Sequence, residues 1–199
     1  MKLIGIAGRA GHGKDTVASL IGLPRVAFAD ALKQDAFWTL ITAPESPFLA
    51  IFESLNPQPD PLGFINNLKH MPTIRAFLQN YGQAMRAAQP DYWVSRLMRG
   101  LDPVAFGYAI TDVRYVNEAT AIKARGGIIV RVHRHLFDNG LSAEAQAHPS
   151  ETELDDYPFD TVLVNDGTLD QLAQEIRDNF VIQRHLRRPE DDGEELTTA

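Results

Sequence analysis

The chain contains no cysteine. That excludes disulfides, thiolate nucleophiles and cysteine-ligated zinc, and it fits a reducing compartment. No apolar run is long enough to cross a bilayer, and no basic, apolar, small-residue leader is recognisable at the N-terminus. A cytoplasmic protein with no membrane partner is the expectation. Basic residues are also in deficit: the formal net charge is −7. This argues against a general nucleic-acid coat and any stable nucleic-acid partner, although a local basic pocket needs only a few converging cations. What is present suits an ordinary enzyme. At 199 residues, 44% hydrophobic and 23% charged, the chain can build one moderate domain with a real core.

The most informative segment is Gly8-Arg-Ala-Gly-His-Gly-Lys-Asp-Thr16, between an apolar run at 3–7 and an amphipathic one at 17–21. Strand, glycine-rich turn and helix follow in that order. Glycines let successive N–H groups turn inward, and the start of the helix adds unpaired donors and the positive end of its dipole. The result is a cradle for phosphate built from Gly8, Gly11, His12 and Gly13. Lys14 stands where its ammonium can reach the β- and γ-phosphates of a nucleotide. The position after it holds Asp15 rather than Ser or Thr, and Thr16 comes one place later.

Strands are expected at 3–7, 105–111, 127–132 and 161–164, with a further one at 24–28. Helices are expected at 15–21, 31–40, 74–86, 92–100, 118–124 and 169–180. Asn117 is the expected cap of the fifth helix, and Thr168 with Gln171 forms a capping-box pattern at the sixth. The alternation implies a three-layer α/β fold with a mainly parallel central sheet, helices on both faces and ligands at the carboxyl ends of the strands. Two stretches break the rhythm. Residues 44–61 are proline-rich, with room for a short helix at 48–55. Residues 136–158 are polar and suit a mobile lid. A single domain over 1–183 is expected, with a helical insertion at about 31–100 and a flexible charged tail at 184–199.

Four segments in order resemble the phage-type deoxynucleoside monophosphate kinases, a family of the P-loop nucleoside monophosphate kinase superfamily. They are Gly-Lys-Asp-Thr16; Leu78-Gln-Asn-Tyr-Gly82 with Arg86 and Trp93; Ile110-Thr-Asp-Val-Arg114 with Asn117-Glu118; and His148-Pro-Ser-Glu151. The resemblance runs from residue 1 to about 180. It implies a P-loop fold, transfer of the γ-phosphoryl of ATP to a deoxynucleoside monophosphate, Mg²⁺ beside the donor, and host cytoplasm if the source is viral. A homodimer stays open.

The residues can be read against that chemistry. Phosphoryl transfer needs charge neutralisation and alignment more than a covalent nucleophile. Lys14 and the loop hold the donor phosphates; Asp15, Thr16 and Asp112 are the candidates for placing Mg²⁺. Asp112 and Arg114 are two apart and share a face if the strand continues. For the acceptor, Arg86 offers a planar fork of donors to a monophosphate, Gln79 an amide for a base edge, and Tyr81 and Trp93 rings for stacking. Gln79 and Arg86 share one helix face. Asp30 and Lys33 could face the same ligand. Arg131 and Arg134 lead into the lid and could stabilise the transferred phosphoryl. Glu151 gains a substrate or lid role from the resemblance, although Ser150 with Glu153 also reads as a capping box. Asn165, before the last helix, could lie against adenine. A dephospho-coenzyme A kinase-like enzyme, a polynucleotide 5′-kinase, a regulatory NTPase and a catalytically silent nucleotide-binding module remain as alternatives.

Overall fold

The structure is a computed structural model that describes residues 1–55, 59–68, 70–135, 137–138, 140 and 142–187. The chain divides into two units. One comprises residues 1–26 together with the chain from 102 onward; the other is Ala27–Leu101.

The first unit is built on a five-stranded sheet. Its strands are β1 (Lys2–Ala7), β2 (Arg25–Ala27), β3 (Gly107–Val113), β4 (Ile128–His133) and β5 (Thr161–Val164), in the order β2-β3-β1-β4-β5. The sheet is parallel throughout. β1, at its centre, is apolar on both faces: Leu3, Ile4 and Ile6 are all fully buried, which is what a strand covered on two sides requires. Ile4, Ile6, Val130, Val132 and Leu163 pack against α1 (Lys14–Ile21), α10 (Leu169–Asp178) and α11 (Phe180–Leu186) through Val17, Leu172, Ile176 and Ile182. On the opposite face lies α7 (Val116–Lys123). A methyl group at Gly5 would stand 2.8 Å from Ile122 Cδ1 of this helix, so the strand and helix pack closely at that point and the Ile122 side chain would have to shift. Helices on both faces of a parallel sheet make the expected three-layer α/β architecture.

Several local expectations need correction. β3 begins and ends two residues later than expected, because residues 105 and 106 lie before the pairing with Lys2 begins. Tyr115, not Asn117, caps α7; the Glu118 carboxylate accepts from its N–H at 3.2 Å. The helix expected over 169–180 breaks at Asn179, whose side chain accepts from Ile182 N–H and starts α11. Ser150 does not open a capping box: His148 is the cap of the short helix α9 (Pro149–Thr152), which follows α8 (Ala143–Gln146), and the His148 ring nitrogen accepts from Ser150 N–H. The Thr168–Gln171 capping box is present as expected. Of the charged end, residues 188–199 lie outside the described residues, while α11 carries helix as far as Leu186.

The second unit is all-helical: α2 (Phe28–Thr42), α3 (Pro47–Ser54), α4 (Pro61–Leu68), α5 (Pro72–Ala88) and α6 (Tyr92–Gly100). Three of these start on a proline, which fits the first helical position because its missing N–H would be unpaired there anyway. The proline-rich stretch is therefore helical punctuation as much as loop. Its core is Phe37, Ile41, Phe64 and Ile65, with Phe37, Phe52 and Phe64 meeting edge to face at centroid separations of 5.0–5.6 Å. Arg96 and Tyr92 of α6 both bond the Asp35 carboxylate of α2, at 3.0 and 2.7 Å.

Candidate active site

The loop between β1 and α1 crosses the carboxyl end of the sheet. Gly13 precedes α1 at φ 91°, in the left-handed region, and it caps the helix without any side-chain bond. The first N–H groups of α1 are thus left without a side-chain cap, the condition for an anion site. A side chain at Gly13 would run into the Asn165 amide, so backbone angle and space both call for glycine. Lys14 is 7% exposed. Its ammonium donates to Arg9 C=O at 3.1 Å and lies 3.3 Å from Asp112 Oδ1. The lysine folds back across its own loop.

Asp112 reaches that ammonium because the strand is irregular there. Register along β1 and β3 slips between Ile6 and Ala7, which pair with Thr111 and Val113, and Asp112 is left out as a bulge at φ 59°. Asp tolerates this conformation better than a β-branched residue would. Asp112 and Arg114 do come together, at 3.6 Å. The cause is the bulge and the end of the strand, not simple alternation. Burial pushes the Asp112 carboxyl up, but Lys14 and Arg114 outweigh it and hold the group below the usual carboxylate range. Arg25 on β2 adds to that field, a contributor the sequence reading missed. Burial likewise lowers Arg114, and the Asp112 and Glu151 carboxylates more than compensate.

A second set of carboxylates arrives from α9 and the turn after it. Glu151 accepts Ala10 N–H at 3.0 Å and pairs with Arg114. Asp155 pairs with Arg9 at 2.8 Å and with Arg131 at 3.2 Å. Arg131 also lies over the Phe159 ring, and Arg134 over Phe137 at 4.5 Å. Beside the loop is a solvent-open cavity of about 510 Å³, whose lining includes Arg9, His12, Arg131, His133 and Arg134. His12 is buried, with its ring against Val132 C=O, and burial lowers its pKa. Arg9 and Asp155 went unrecognised in the sequence, where they are 146 positions apart.

Other expected site residues have different occupations. Asp15 is 71% exposed on the first turn of α1 and pairs with Arg25 at 2.7 Å, while Thr16 is exposed beside it. The Asn165 amide donates to His12 C=O at 3.0 Å, so it supports the loop from behind rather than offering that group to a base. In the helical unit, Asp30 and Lys33 pair at 3.5 Å on α2. Gln79 is exposed on α5, and Arg86, seven residues on, is half-buried near Gly82. Tyr81 is half-buried, stacked near Phe77, and receives Thr39 Oγ at 3.4 Å. Trp93 is a correction: it is 2% exposed, with its indole N–H donating to Gly82 C=O at 3.2 Å. It is a core residue holding α6 to α5, with no open face for stacking on a base.

Among the described residues there is no group of three His, Asp or Glu side chains placed to hold a metal. Besides Glu151 and Asp155, which are bonded to Ala10 N–H, Arg9, Arg114 and Arg131, the oxygen groups near the loop are Asp112 and the Thr16 hydroxyl. So sparse a set fits Mg²⁺ accompanying a nucleotide, since that ion keeps several waters and takes phosphate oxygens. Asp15 is drawn toward Arg25 instead.

The known proteins to which the chain is similar include a viral protein and a solved bacterial structure. A protein of Acanthamoeba polyphaga mimivirus named "Putative deoxynucleotide monophosphate kinase" is 29% identical over 88% of this chain and 94% of its own length. The solved dephospho-CoA kinase from Campylobacter jejuni superposes with a TM-score of 0.47 at 12% identity, covering 92% of this chain and 97% of that one. The family model described as deoxynucleotide monophosphate kinase matches residues 54–176, more than half of the chain, and the chain therefore belongs to that family of kinases.

Proposed function

We propose that the chain transfers the γ-phosphoryl group of ATP to a deoxynucleoside monophosphate, giving the deoxynucleoside diphosphate and ADP. The observation that carries this reading is the alternation of charge Lys14, Asp112, Arg114, Glu151 near the carboxyl ends of β1 and β3, beside a helix start with no side-chain cap, in a member of this family.

The roles follow from position. The loop N–H groups and Lys14 hold the donor's phosphate tail, with the ammonium already folded over the loop so that little reorganisation remains when the donor binds. Arg114 and Arg131 line one small hollow with Gly8 and Arg9, where they meet the charge of the transferred group. Asp112 and Thr16 are the oxygen donors for Mg²⁺, which supplies neutralisation of phosphate charge when bound. The nucleophile is the acceptor phosphate itself, so no side chain has to be deprotonated for attack.

For the acceptor, Arg86 and Gln79 lie on one face of α5, the guanidinium suited to the monophosphate and the amide to a base edge. The Asp30–Lys33 pair supplies a further polar surface on α2. Tyr81 offers a half-buried ring. Arg134, just before the 136–158 segment, lines the cavity beside the loop, where it meets the charge of the donor phosphates.

A coupled ADP-release assay over a panel of deoxynucleoside and ribonucleoside monophosphates, with an oligonucleotide as control, tests this. Turnover with at least one deoxynucleoside monophosphate, well above the ATPase background, supports the reading. ADP release that no monophosphate stimulates refutes it.

A further inference from the structure

Glu151 reaches the phosphate loop from 141 residues away and is 8% exposed. Its two oxygens have separate partners. Oε2 accepts Ala10 N–H at 3.0 Å, inside the loop, and Oε1 receives Arg114 Nη1. The same Nη1 donates to Ser150 C=O at 3.1 Å, and on the opposite side Arg114 Nη2 lies 3.6 Å from Asp112. Even the backbone N–H of Arg114 is held, by Glu118 at 2.8 Å. A carboxylate has no donor to offer a phosphate and repels its charge. Glu151 therefore cannot be a direct phosphate ligand.

We propose that Glu151 is a positioning residue, a brace that ties the first half of the phosphate loop to the Arg114 guanidinium so that both are aimed before a nucleotide arrives. The proposal rests on the phosphotransfer reading given above. Ionised acceptors make the strongest hydrogen bonds, and a single buried carboxylate shared by a loop amide and a guanidinium couples their positions directly. Without it, Ala10 N–H loses its acceptor, and Arg114 is left with Asp112 as its remaining carboxylate. Drawn to that side, the guanidinium competes with Lys14 for Asp112. Loop shape, arginine aim and lysine pairing are all disturbed by one neutral substitution. The brace acts through Arg114, so its effect should vanish when Arg114 is already gone.

The test uses the full chain and the variants E151Q, E151A, E151D, R114Q and E151Q/R114Q, each first checked for a native melting transition. E151Q should lower kcat about 30-fold with both KM values within about threefold of the parent, since positioning is realised in the transition state. E151D should recover part of the loss. The double variant should be no slower than R114Q alone. Independently of activity, hydrogen exchange at Ala10 should speed up about tenfold in E151A, which leaves Ala10 N–H without that acceptor, whereas the E151Q amide oxygen can still take it. Multiplying losses, an unchanged kcat, or a rise confined to the acceptor KM would overturn the brace. If the parent phosphorylates no monophosphate, the functional reading fails, and the Ala10 exchange rate alone then decides the brace: acceleration in E151A upholds it and an unchanged rate refutes it.

Discussion

The Lys14 ammonium stands 3.3 Å from the Asp112 carboxylate, although 98 positions separate the two residues along the chain. The phosphate loop supplies one partner and a bulge at the end of the neighbouring strand supplies the other. Replacing Lys14 with Ala should reduce turnover at least about 10³-fold, because it removes the charge that faces the donor phosphates. Folding should survive, since Arg114 still neutralises Asp112. Steady-state kinetics and a thermal melt, run on the same preparation, check both halves.

Asp112 gives a second contrast. Asn occupies the left-handed region readily, so Asp112→Asn should keep the fold while kcat falls roughly 10²-fold. Asp112→Val adds backbone strain of about 1–2 kcal/mol to that loss, because a β-branched residue is poorly tolerated at φ 59°. Denaturant melts of the two variants should therefore separate, with the valine form less stable.

Trp93 and Arg86 distinguish support from contact. Trp93→Phe should destabilise the protein by about 1–2 kcal/mol, through the lost bond to Gly82 and a smaller ring. It should leave the acceptor KM close to that of the parent. Arg86→Ala should do the reverse, raising the acceptor KM about tenfold or more while the ATP KM stays the same. Kinetics against both substrates separates the two residues.

His185 on α11 should make stability depend on pH. Burial lowers its pKa, and its Nε2 is buried without a hydrogen-bond partner among the described residues. The folded state thus favours the neutral ring, while the unfolded chain takes up a proton near the ordinary value of about 6.5. Stability should be full above that pH and decline as the pH falls below it, because the unfolded state then binds more protons. Melting temperatures measured from pH 7.5 to 5.5 should drop, and His185→Gln should flatten the slope.

What the sequence discloses depends on how local the cause is. The strand, glycine-rich loop and helix at the start of the chain were legible because glycine angles, lysine and helix start are all set within nine residues. β5 was read to the residue, since a short β-branched run between turn residues has few alternatives. Asp112 was recognised as a site residue, but the bulge that aims it was not, because no local residue type announces a slip in pairing. Asn165 and Glu151 were singled out for ligands, and the structure finds both bonded to the loop backbone, through contacts spanning more than 140 positions. Trp93 misled for a different reason. An aromatic residue beside an arginine-bearing helix reads equally well as a base-stacking ring or as core, and only burial decides.

The most direct test of the central claim follows the phosphorus itself. Incubation with ATP labelled in the γ-phosphoryl group and a deoxynucleoside monophosphate, followed by separation of products, should place the label in the deoxynucleoside diphosphate. Label recovered as inorganic phosphate, or retained in ATP with every monophosphate tried, would contradict the account.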